Sequence, residues 1–352
     1  MNNHMKTSWF FRSAAALALP LAVLLSGCLP EYEELPLTAT GEGGESLTST
    51  ASSGSTSSVT PTCSGAASGS IPGSPNLDGQ IPCTLQGSID ARNLTPSQRT
   101  QVAGIKVLKG TLTVASAEQI GYLKALTSVD SLTITNFSGP TLELPARIAV
   151  TTELVISGGN ATTIKGFGGL TALAGQLSVI NLNGLGTIDA FGALTSVGQL
   201  NVQQLPALTS LKAFGALTAA STVSFVQLSQ LPALPSMIKL TSVNTLSLAG
   251  LGNLGSLNSF PALASVTTLS ISGLNTVATV AFPALKSVNS LSIDGMAKLS
   301  DLEGFGAQLQ VKSQLFVCNI LMKADQREIW RQKHAPNLQF GKCANGCIGM
   351  GC

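Results

Sequence analysis

The side chains of this 352-residue chain that could act as acids or bases are few. Its two histidines are His4 and His334, so a histidine-based acid–base or metal site would depend on His334 alone, and we interpret it as a single surface histidine. The closest carboxylates are Asp294, Asp301 and Glu303, which suit a weak Ca²⁺ site but are more typical of solvated loops. Paired carboxylates with aromatic or basic sugar contacts, as in a glycosidase, are not found. The sequence therefore predicts a protein that is not an enzyme, with no cofactor and no bound metal.

The thiol groups lie near the two ends of the chain. An even number of cysteines in an oxidising compartment favours disulfide bonds, and six candidates follow Cys28: Cys63, Cys83, Cys318, Cys343, Cys347 and Cys352. The predicted pairs are Cys63 with Cys83, Cys318 with Cys343, and Cys347 with Cys352. A zinc site formed by the last four is the alternative, which is disfavoured because their spacing lacks the usual knuckle pattern.

The N terminus has the layout of an export signal. Basic residues Lys6 and Arg12 precede an apolar stretch, residues 13–25, which is too short to span a bilayer. The following Leu25-Ser26-Gly27-Cys28 resembles a bacterial lipoprotein signal, in which residues 1–27 are removed and the Cys28 thiol receives a diacylglycerol. An ordinary cleaved signal is the alternative. Leu29, in place of an aspartate, favours the outer membrane over the inner one, with the periplasmic or surface side left open.

Residues 28–76 differ in composition from the rest of the chain. Three acidic residues, Glu31, Glu33 and Glu34, are followed by a run rich in Ser, Thr, Gly and Pro with hardly any large apolar side chain. Such a segment cannot offset its conformational entropy by burial. We therefore interpret it as a disordered tether between the lipid and the folded part.

Short β-like triplets recur through the remaining sequence. Their first positions lie 20 to 24 residues apart, with a spacing of 23 residues five times in succession. A fixed period of this length is typical of a solenoid of stacked coils. The ten triplets are Leu112-Thr-Val114, Leu132-Thr-Ile134, Leu154-Val-Ile156, Leu177-Ser-Val179, Leu200-Asn-Val202, Val223-Ser-Phe225, Leu246-Ser-Leu248, Leu269-Ser-Ile271, Leu291-Ser-Ile293 and Leu315-Phe-Val317.

The pattern within one repeat predicts a mainly β fold. Apolar first and third residues of each triplet would point into a core, and the middle residue would point to solvent. Apolar residues at nearly every third position then indicate a return path that consists mostly of turns and short 3₁₀ pieces, without α-helix. With an additional leading coil at Gly87-Ser88-Ile89, we predict a parallel β-solenoid of about 11 coils of about 23 residues over residues 77–317. Residues 318–352 would form a cap with a short helix over Lys323–Lys333.

Phenylalanine recurs at one position of the repeat. The spacing follows that of buried leucines, which favours a row of rings inside the core over a ligand-binding aromatic stripe. The residues are Phe167, Phe191, Phe214, Phe260, Phe282 and Phe305.

The middle residues of the triplets are the candidate binding face. Stacked coils would align their short polar side chains into a row, flanked by a second row of Ser and Thr. This surface could bind glycan, protein or, as an outlying idea, ice; alternatively, Ser and Thr simply suit an exposed strand. The candidates are Thr113, Thr133, Ser178, Asn201, Ser224, Ser247, Ser270 and Ser292.

The charge balance gives no reason to expect a nucleic-acid partner. Charged residues make up 10% of the chain, the net charge is +2, and Lys and Arg are scattered without a basic run. We predict a monomer that meets the membrane only through its N-terminal lipid.

The repeat resembles the receptor L-domain family, relatives of the leucine-rich repeats. The resemblance rests on Gly110-Thr-Leu-Thr-Val114, on Leu-Thr-Ser-Val at 126–129, 194–197 and 240–243, and on Lys286-Ser-Val288, and it covers about residues 83–343. It implies a right-handed solenoid and a ligand-binding role, as in receptor ectodomains; similar repeats occur in bacterial lipoproteins. This chain has more coils and fewer asparagines after the strand, Asn136 being one of them, so no particular receptor ligand is implied.

These observations together predict a lipid-anchored protein of the bacterial cell envelope whose non-catalytic solenoid binds a protein or polysaccharide. A purely structural envelope component without a specific ligand is the alternative, and a carbohydrate-active enzyme is a more distant one.

Overall fold

The structure is a computed structural model that describes the strand Ala66–Ser68 and residues 83–342. The predicted signal peptide, Cys28, most of the predicted tether, Cys63 and the last three cysteines lie outside the described residues. Predictions about them stay predictions.

The described chain is mainly β and forms a parallel β-solenoid of about 10 turns, about 23 residues apart, with a short C-terminal helix. All strand pairs are parallel, and four strands (β6, β8, β10 and β12) form a second sheet while the others form the main one. In chain order the strands are β1 (Ala66–Ser68), β2 (Thr84–Gln86), β3 (Ile89–Asp90), β4 (Val107–Val114), β5 (Ser128–Phe137), β6 (Thr141–Leu144), β7 (Ala149–Gly159), β8 (Thr163–Gly166), β9 (Ala172–Ile180), β10 (Thr187–Ala190), β11 (Ser196–Gln203), β12 (Ser210–Lys212), β13 (Ala219–Val226), β14 (Ser242–Ala249), β15 (Ser265–Ser272), β16 (Ser287–Met296) and β17 (Gln310–Ile320).

Alternate side chains of each main strand point into the solenoid, as the triplets predict. Leu246 and Leu248 are fully buried, and the register places Leu246 beside Leu269 of the next strand. The same alternation continues from strand to strand, so equivalent side chains form continuous buried rows. No coil can bury these rows alone, and each is therefore stable only between its neighbours.

The main sheet extends beyond the ten triplets at its N-terminal end. Ile89 pairs with Leu112, which confirms the additional leading coil. Strand β1 then pairs with β2, so the sheet begins inside the segment that the sequence assigned to the tether.

The return path contains more regular structure than the sequence predicts. The short strands β6, β8, β10 and β12 form a second parallel sheet, and single bridges, Leu257 with Val280 and Phe282 with Phe305, continue this pattern in later coils. The return path therefore contains short strands in addition to the turns and 3₁₀ pieces that the sequence predicts. Stacking in register brings backbone amides and carbonyls of neighbouring coils into hydrogen-bonding distance wherever the chain is extended, not only at the triplets.

Short helices occupy the first two coils, where the sequence predicts none. A 3₁₀ turn at Ala91–Asn93 is followed by α1 (Pro96–Val102) and α2 (Ala117–Tyr122). Thr95 and Gln98 form a reciprocal capping box at the start of α1, with a proline in its first turn, so the signal was present in the sequence. None of the helices within residues 83–342 has the length and apolar character that crossing a bilayer requires.

The phenylalanine row is confirmed as part of the core. Ring centroids of Phe191 and Phe214 lie 5.9 Å apart, those of Phe260 and Phe282 lie 6.0 Å apart, and all four side chains are fully buried. Met237, also fully buried, takes the equivalent position in the coil between them. Because these four rings are enclosed, they offer no aromatic stripe to a ligand.

The threonine of the Leu-Thr corner before a main strand has a structural role, both in Leu-Thr-Ser-Val at 194–197 and in Leu-Thr-Ala-Ala at 217–220. The Thr195 hydroxyl donates to the Thr171 carbonyl at 2.9 Å, and the Thr218 hydroxyl donates to the Thr195 carbonyl at 2.9 Å. Each threonine therefore links its own coil to the preceding one, and side chain and backbone hydrogen bonds reinforce each other.

The C-terminal helix α3 (Ala324–His334) covers the open end of the core, as the sequence predicts. Its Trp330 ring meets Phe305 edge-on at 6.0 Å, and its indole N–H donates to the Leu302 carbonyl at 3.2 Å. Beyond the helix the chain returns to the sheet, where Phe340 bridges to Leu315 of β17. The helix and this returning segment together form a lid over the last coil.

Candidate functional site on the outer face of the main sheet

The eight predicted binding-face residues lie in a single row across the main sheet. The register pairs Thr113 with Thr133. It also pairs Ser178 with Asn201, and Asn201 with Ser224. The row continues from Ser224 through Ser247 and Ser270 to Ser292. The structure therefore brings all eight together as predicted, with Val155 between Thr133 and Ser178 and Phe316 after Ser292.

Accessibility varies along this row. Most of its side chains are half-buried, but Ser178 and Ser224 are only 7% exposed. The side-chain amide of Gln203 donates to the Ser224 hydroxyl at 3.2 Å and so covers this serine. These two serines are therefore less available to a partner than the sequence suggests.

Strands β13–β16 carry the most regular part of the face. Thr222, Thr245, Thr268 and Ser290 stand in register two residues before the serine row. Equivalent residues are about 4.8 Å apart between strands and about 7 Å apart along a strand. We call the resulting array the hydroxyl lattice; it consists of Thr222, Ser224, Thr245, Ser247, Thr268, Ser270, Ser290 and Ser292.

The corresponding positions of β7, β9 and β11 carry larger and more varied side chains. Glu153 and Gln176 are joined by a hydrogen bond from the glutamine amide to the carboxylate, and Gln199 pairs in register with Gln176. Val155 takes the place of a hydroxyl in the middle row. This part of the face, which we call the mixed half, is therefore interrupted in shape and charge.

Shallow depressions follow the N-terminal ends of the main strands beside the lattice. One has a volume of about 360 Å³ and the next about 410 Å³, and both are bordered by Ser242. Their polar lining includes Ser196, Ser221, Asn244, Ser265, Thr267 and Asn289. The sequence analysis missed this trough, although Ser242 and Ser265 stand at the serine position of the Leu-Thr-Ser-Val motif and its Ala-Ser-Val variant.

The described residues contain two of the six disulfide candidates. Cys83 directly precedes β2 and Cys318 lies in β17, at opposite ends of the main sheet. Neither is a free thiol. The other four lie outside the described residues, so the proposed pairing stays a prediction.

Of the three carboxylates that sequence proximity grouped together, Asp294 lies on the main sheet, while Asp301 and Glu303 lie in the loop that follows. Asp294 lies on β16, where it accepts a 2.7 Å hydrogen bond from the Asn319 amide. Asp301 lies in the next loop and accepts a 3.2 Å hydrogen bond from the Glu303 backbone N–H. Within residues 83–342, no three His, Cys, Asp or Glu side chains are placed to hold a metal ion.

His334 differs from its interpretation as a surface residue. Its side chain is 3% exposed, its Nδ1 lies 2.9 Å from the Leu309 carbonyl oxygen, and its ring lies 4.7 Å from Trp330. Periodicity would have placed it on the buried face of α3, one turn after Trp330, because Arg327, Trp330, Arg331 and His334 follow the spacing of one helix face.

Electrostatic interactions stabilise the end of the lid. Arg331 forms two hydrogen bonds to Glu328, at 2.8 and 2.5 Å, and a third to the Leu338 carbonyl at 2.6 Å. The hydrogen bonds from Arg331 lower the pKa of Glu328 to about 2. The ion pair lies within α3 and holds the Arg331 side chain in place. The hydrogen bond from Arg331 to the Leu338 carbonyl then links the helix to the segment that returns to the sheet.

Comparison of this chain with protein-family models, with curated proteins and with solved structures finds no match.

Proposed function

We propose that this protein is a lipid-anchored protein of the bacterial cell envelope whose non-catalytic solenoid binds a polysaccharide or protein partner through the outer face of its main sheet. The observation that supports this proposal is the hydroxyl lattice. Its eight short side chains stand in register across four neighbouring strands. Ser224 accepts from Gln203 and Ser290 donates to Gln314, and the other six hydroxyls can both donate to and accept from a partner.

A repeated surface suits a repeated ligand. A polymer with hydroxyl or amide groups at regular intervals could form many equivalent hydrogen bonds with the lattice and with the trough beside it. Each bond contributes little in water, but simultaneous engagement of several units raises the overall affinity. Polysaccharide is therefore the partner class that the spacing favours, with an extended protein segment as the second.

The proposed membrane attachment rests on the N-terminal sequence. Acylation of Cys28 after removal of residues 1–27 would hold the chain at the outer membrane, and the Ser/Thr/Gly-rich tether would separate the lipid from the solenoid. Disulfide bonds at both ends and a relation to the receptor L-domains are parts of the same proposal. Replacing Cys28 with Ser should move the protein from the membrane to the soluble fraction, and retention in the membrane would refute the anchor.

The binding proposal can be tested with a doubly substituted protein. Ser247→Lys with Ser270→Lys places two long cationic side chains on neighbouring strands of the lattice. We expect this variant to lose retention on immobilised lipopolysaccharide, peptidoglycan or envelope proteins that retain the parent chain, with the melting temperature nearly unchanged.

The same two coils provide a matched control. Ser256 and Thr279 are exposed on the return path, nine residues after Ser247 and Ser270 respectively. Lysine at both positions adds the same charge away from the lattice and should leave retention intact. Equal loss in both variants would indicate a charge effect, and failure of the parent chain to bind any of the three materials would favour the structural role.

A further inference from the structure

A cleft lies between the last coil and the lid, distinct from the outer face of the main sheet. It has a volume of about 760 Å³, within the range of small-molecule sites. One wall is the loop Ser300–Glu303 and the other is the side of α3 that carries Gln326, Ile329 and Lys333. Nothing in the sequence pattern indicates this cleft, because its two walls are separated by more than twenty residues and meet only when α3 docks.

The floor of the cleft is apolar. Leu302, Phe305, Met322 and Trp330 border it, and each is less than 10% exposed. Ile329 extends this apolar surface along the wall and is 66% exposed, the highest value among the large apolar side chains of the described residues. A cleft of this kind offers a ligand a firm apolar surface that is already assembled.

Polar groups along the rim lack partners within the described residues. The carboxylate of Glu303, the amide of Gln326 and the ammonium group of Lys333 take part in no hydrogen bond or ion pair there. His334 borders the same cleft, and its Nδ1–H donates to the Leu309 carbonyl, since a carbonyl can only accept. Its Nε2 has no partner in the described residues and remains able to bond to a ligand.

We propose that this cleft binds a saccharide. A sugar ring has an apolar C–H face that suits the floor, and hydroxyl groups around its edge that both donate and accept hydrogen bonds. The rim offers acceptors at Glu303 and His334 and donors at Gln326 and Lys333. The rim carries two carboxylates, Asp301 and Glu303, and one ammonium group, Lys333. Charges of both signs are therefore present, whereas a site for a strongly charged ligand would carry mainly the opposite charge.

Trp330 makes the cleft directly observable. The chain has two tryptophans, Trp9 and Trp330, so in a full chain with Trp9→Phe the fluorescence reports on the cleft alone. This protein would be titrated with N,N′-diacetylchitobiose, cellobiose and maltose. We expect a change in emission that saturates below about 10 mM with at least one of them.

Substitutions then assign the response to the cleft. Glu303→Gln and Gln326→Ala should each weaken binding by at least about tenfold, because a sugar hydroxyl loses its partner. Asp189→Asn, a comparable change on the exposed side of β10, should leave binding unchanged. These positions are exposed, and unaltered circular dichroism would show that the variants fold.

Three outcomes would overturn the proposal. They are the absence of a saturable change with all three disaccharides, unchanged affinity in Glu303→Gln and Gln326→Ala, and equal weakening by Asp189→Asn. If Ser247→Lys with Ser270→Lys abolishes sugar binding while the cleft variants retain it, the sugar binds the hydroxyl lattice. The proposed function would then stand, and the proposed cleft site would not. If instead the lattice variant loses polymer binding but keeps disaccharide binding, the lattice and the cleft are separate sites.

Discussion

Strands β7, β9 and β11 and strands β13–β16 bury similar side chains but present different ones to solvent. Inward positions in both regions are Leu, Val, Ile or Phe at 0% exposure, as at Leu177 and Leu246. Outward positions are Thr or Ser throughout the hydroxyl lattice, whereas those of the mixed half are varied: Glu153, Val155, Gln176, Ser178, Gln199 and Asn201. Solenoid stacking therefore fixes the inner residues of every coil, whereas the outer ones are free to differ.

This difference indicates where a partner would bind. The mixed half folds in the same register without a row of hydroxyls, so the fold itself does not require the lattice. This regularity over four strands, which the core does not impose, is the observation on which the proposed binding face rests.

The largest expected effect concerns the shared core. Leu177→Ala in the mixed half and Leu246→Ala beneath the lattice should each lower the free energy of unfolding by about 2–5 kcal/mol, because each leaves a cavity in a fully buried row. Urea denaturation followed by circular dichroism measures both. Markedly unequal losses would show that the halves differ inside as well as outside.

Acid should affect the lid while sparing the lattice, which contains no titratable side chain. The pKa of Glu328 is lowered from 4.5 to about 2, so its pairing with Arg331 stabilises the folded state fully above pH 4.5. That contribution is lost as the pH falls through about 2. Thermal unfolding followed by Trp330 fluorescence should show declining lid stability over this range.

Glu328→Gln provides the control for the acid experiment. Without the carboxylate, the decline between pH 4.5 and 2 should become shallower, and stability at pH 7 should be lower than in the parent chain. An identical pH profile in both proteins would show that other carboxylates cause the acid sensitivity.

Placing Thr and Ser at outward positions of the mixed half tests whether hydroxyl groups there add to binding. Glu153→Thr, Val155→Ser and Gln176→Thr together remove one hydrogen-bonded pair at half-buried positions, so stability should change by less than about 1.5 kcal/mol. Retention on the material that the lattice binds should increase, because β7 and β9 then carry Thr and Ser in both rows, with only Gln199 and Asn201 of β11 between them and the lattice. Reduced retention with intact folding would mean that Glu153 or Gln176 contributes to recognition.

The smallest expected effect is at a single lattice hydroxyl. Ser247→Ala should change the free energy of unfolding by no more than about 0.5 kcal/mol, because this half-buried side chain makes no hydrogen bond within the described residues. Urea denaturation of Ser247→Ala and of Leu246→Ala, measured side by side, compares the stability effects of two adjacent residues on opposite faces of β14. A loss close to that of Leu246→Ala would show that Ser247 belongs to the core.

The sequence by itself determined the repeat, the inward rows and the C-terminal helix. A period of about 23 residues aligns equivalent residues in stacked coils, so Leu246 could be placed beside Leu269, and the eight binding-face residues in one row, without coordinates. The phenylalanine row followed from the same periodicity. These features are local in sequence or repeat at a fixed interval, which is why a pattern reveals them.

Only the tertiary structure decided how the parts that do not repeat fit together. The second sheet forms because stacked coils bring extended return segments within hydrogen-bonding distance, and Ser224 is covered because Gln203 reaches it from the neighbouring strand. The cleft depends on α3 docking against Phe305, which buries His334 and exposes the side of Ile329. The contacts of Gln203 with Ser224 and of α3 with the last coil join residues that are not at equivalent positions of the repeat, so the period of about 23 residues does not indicate them.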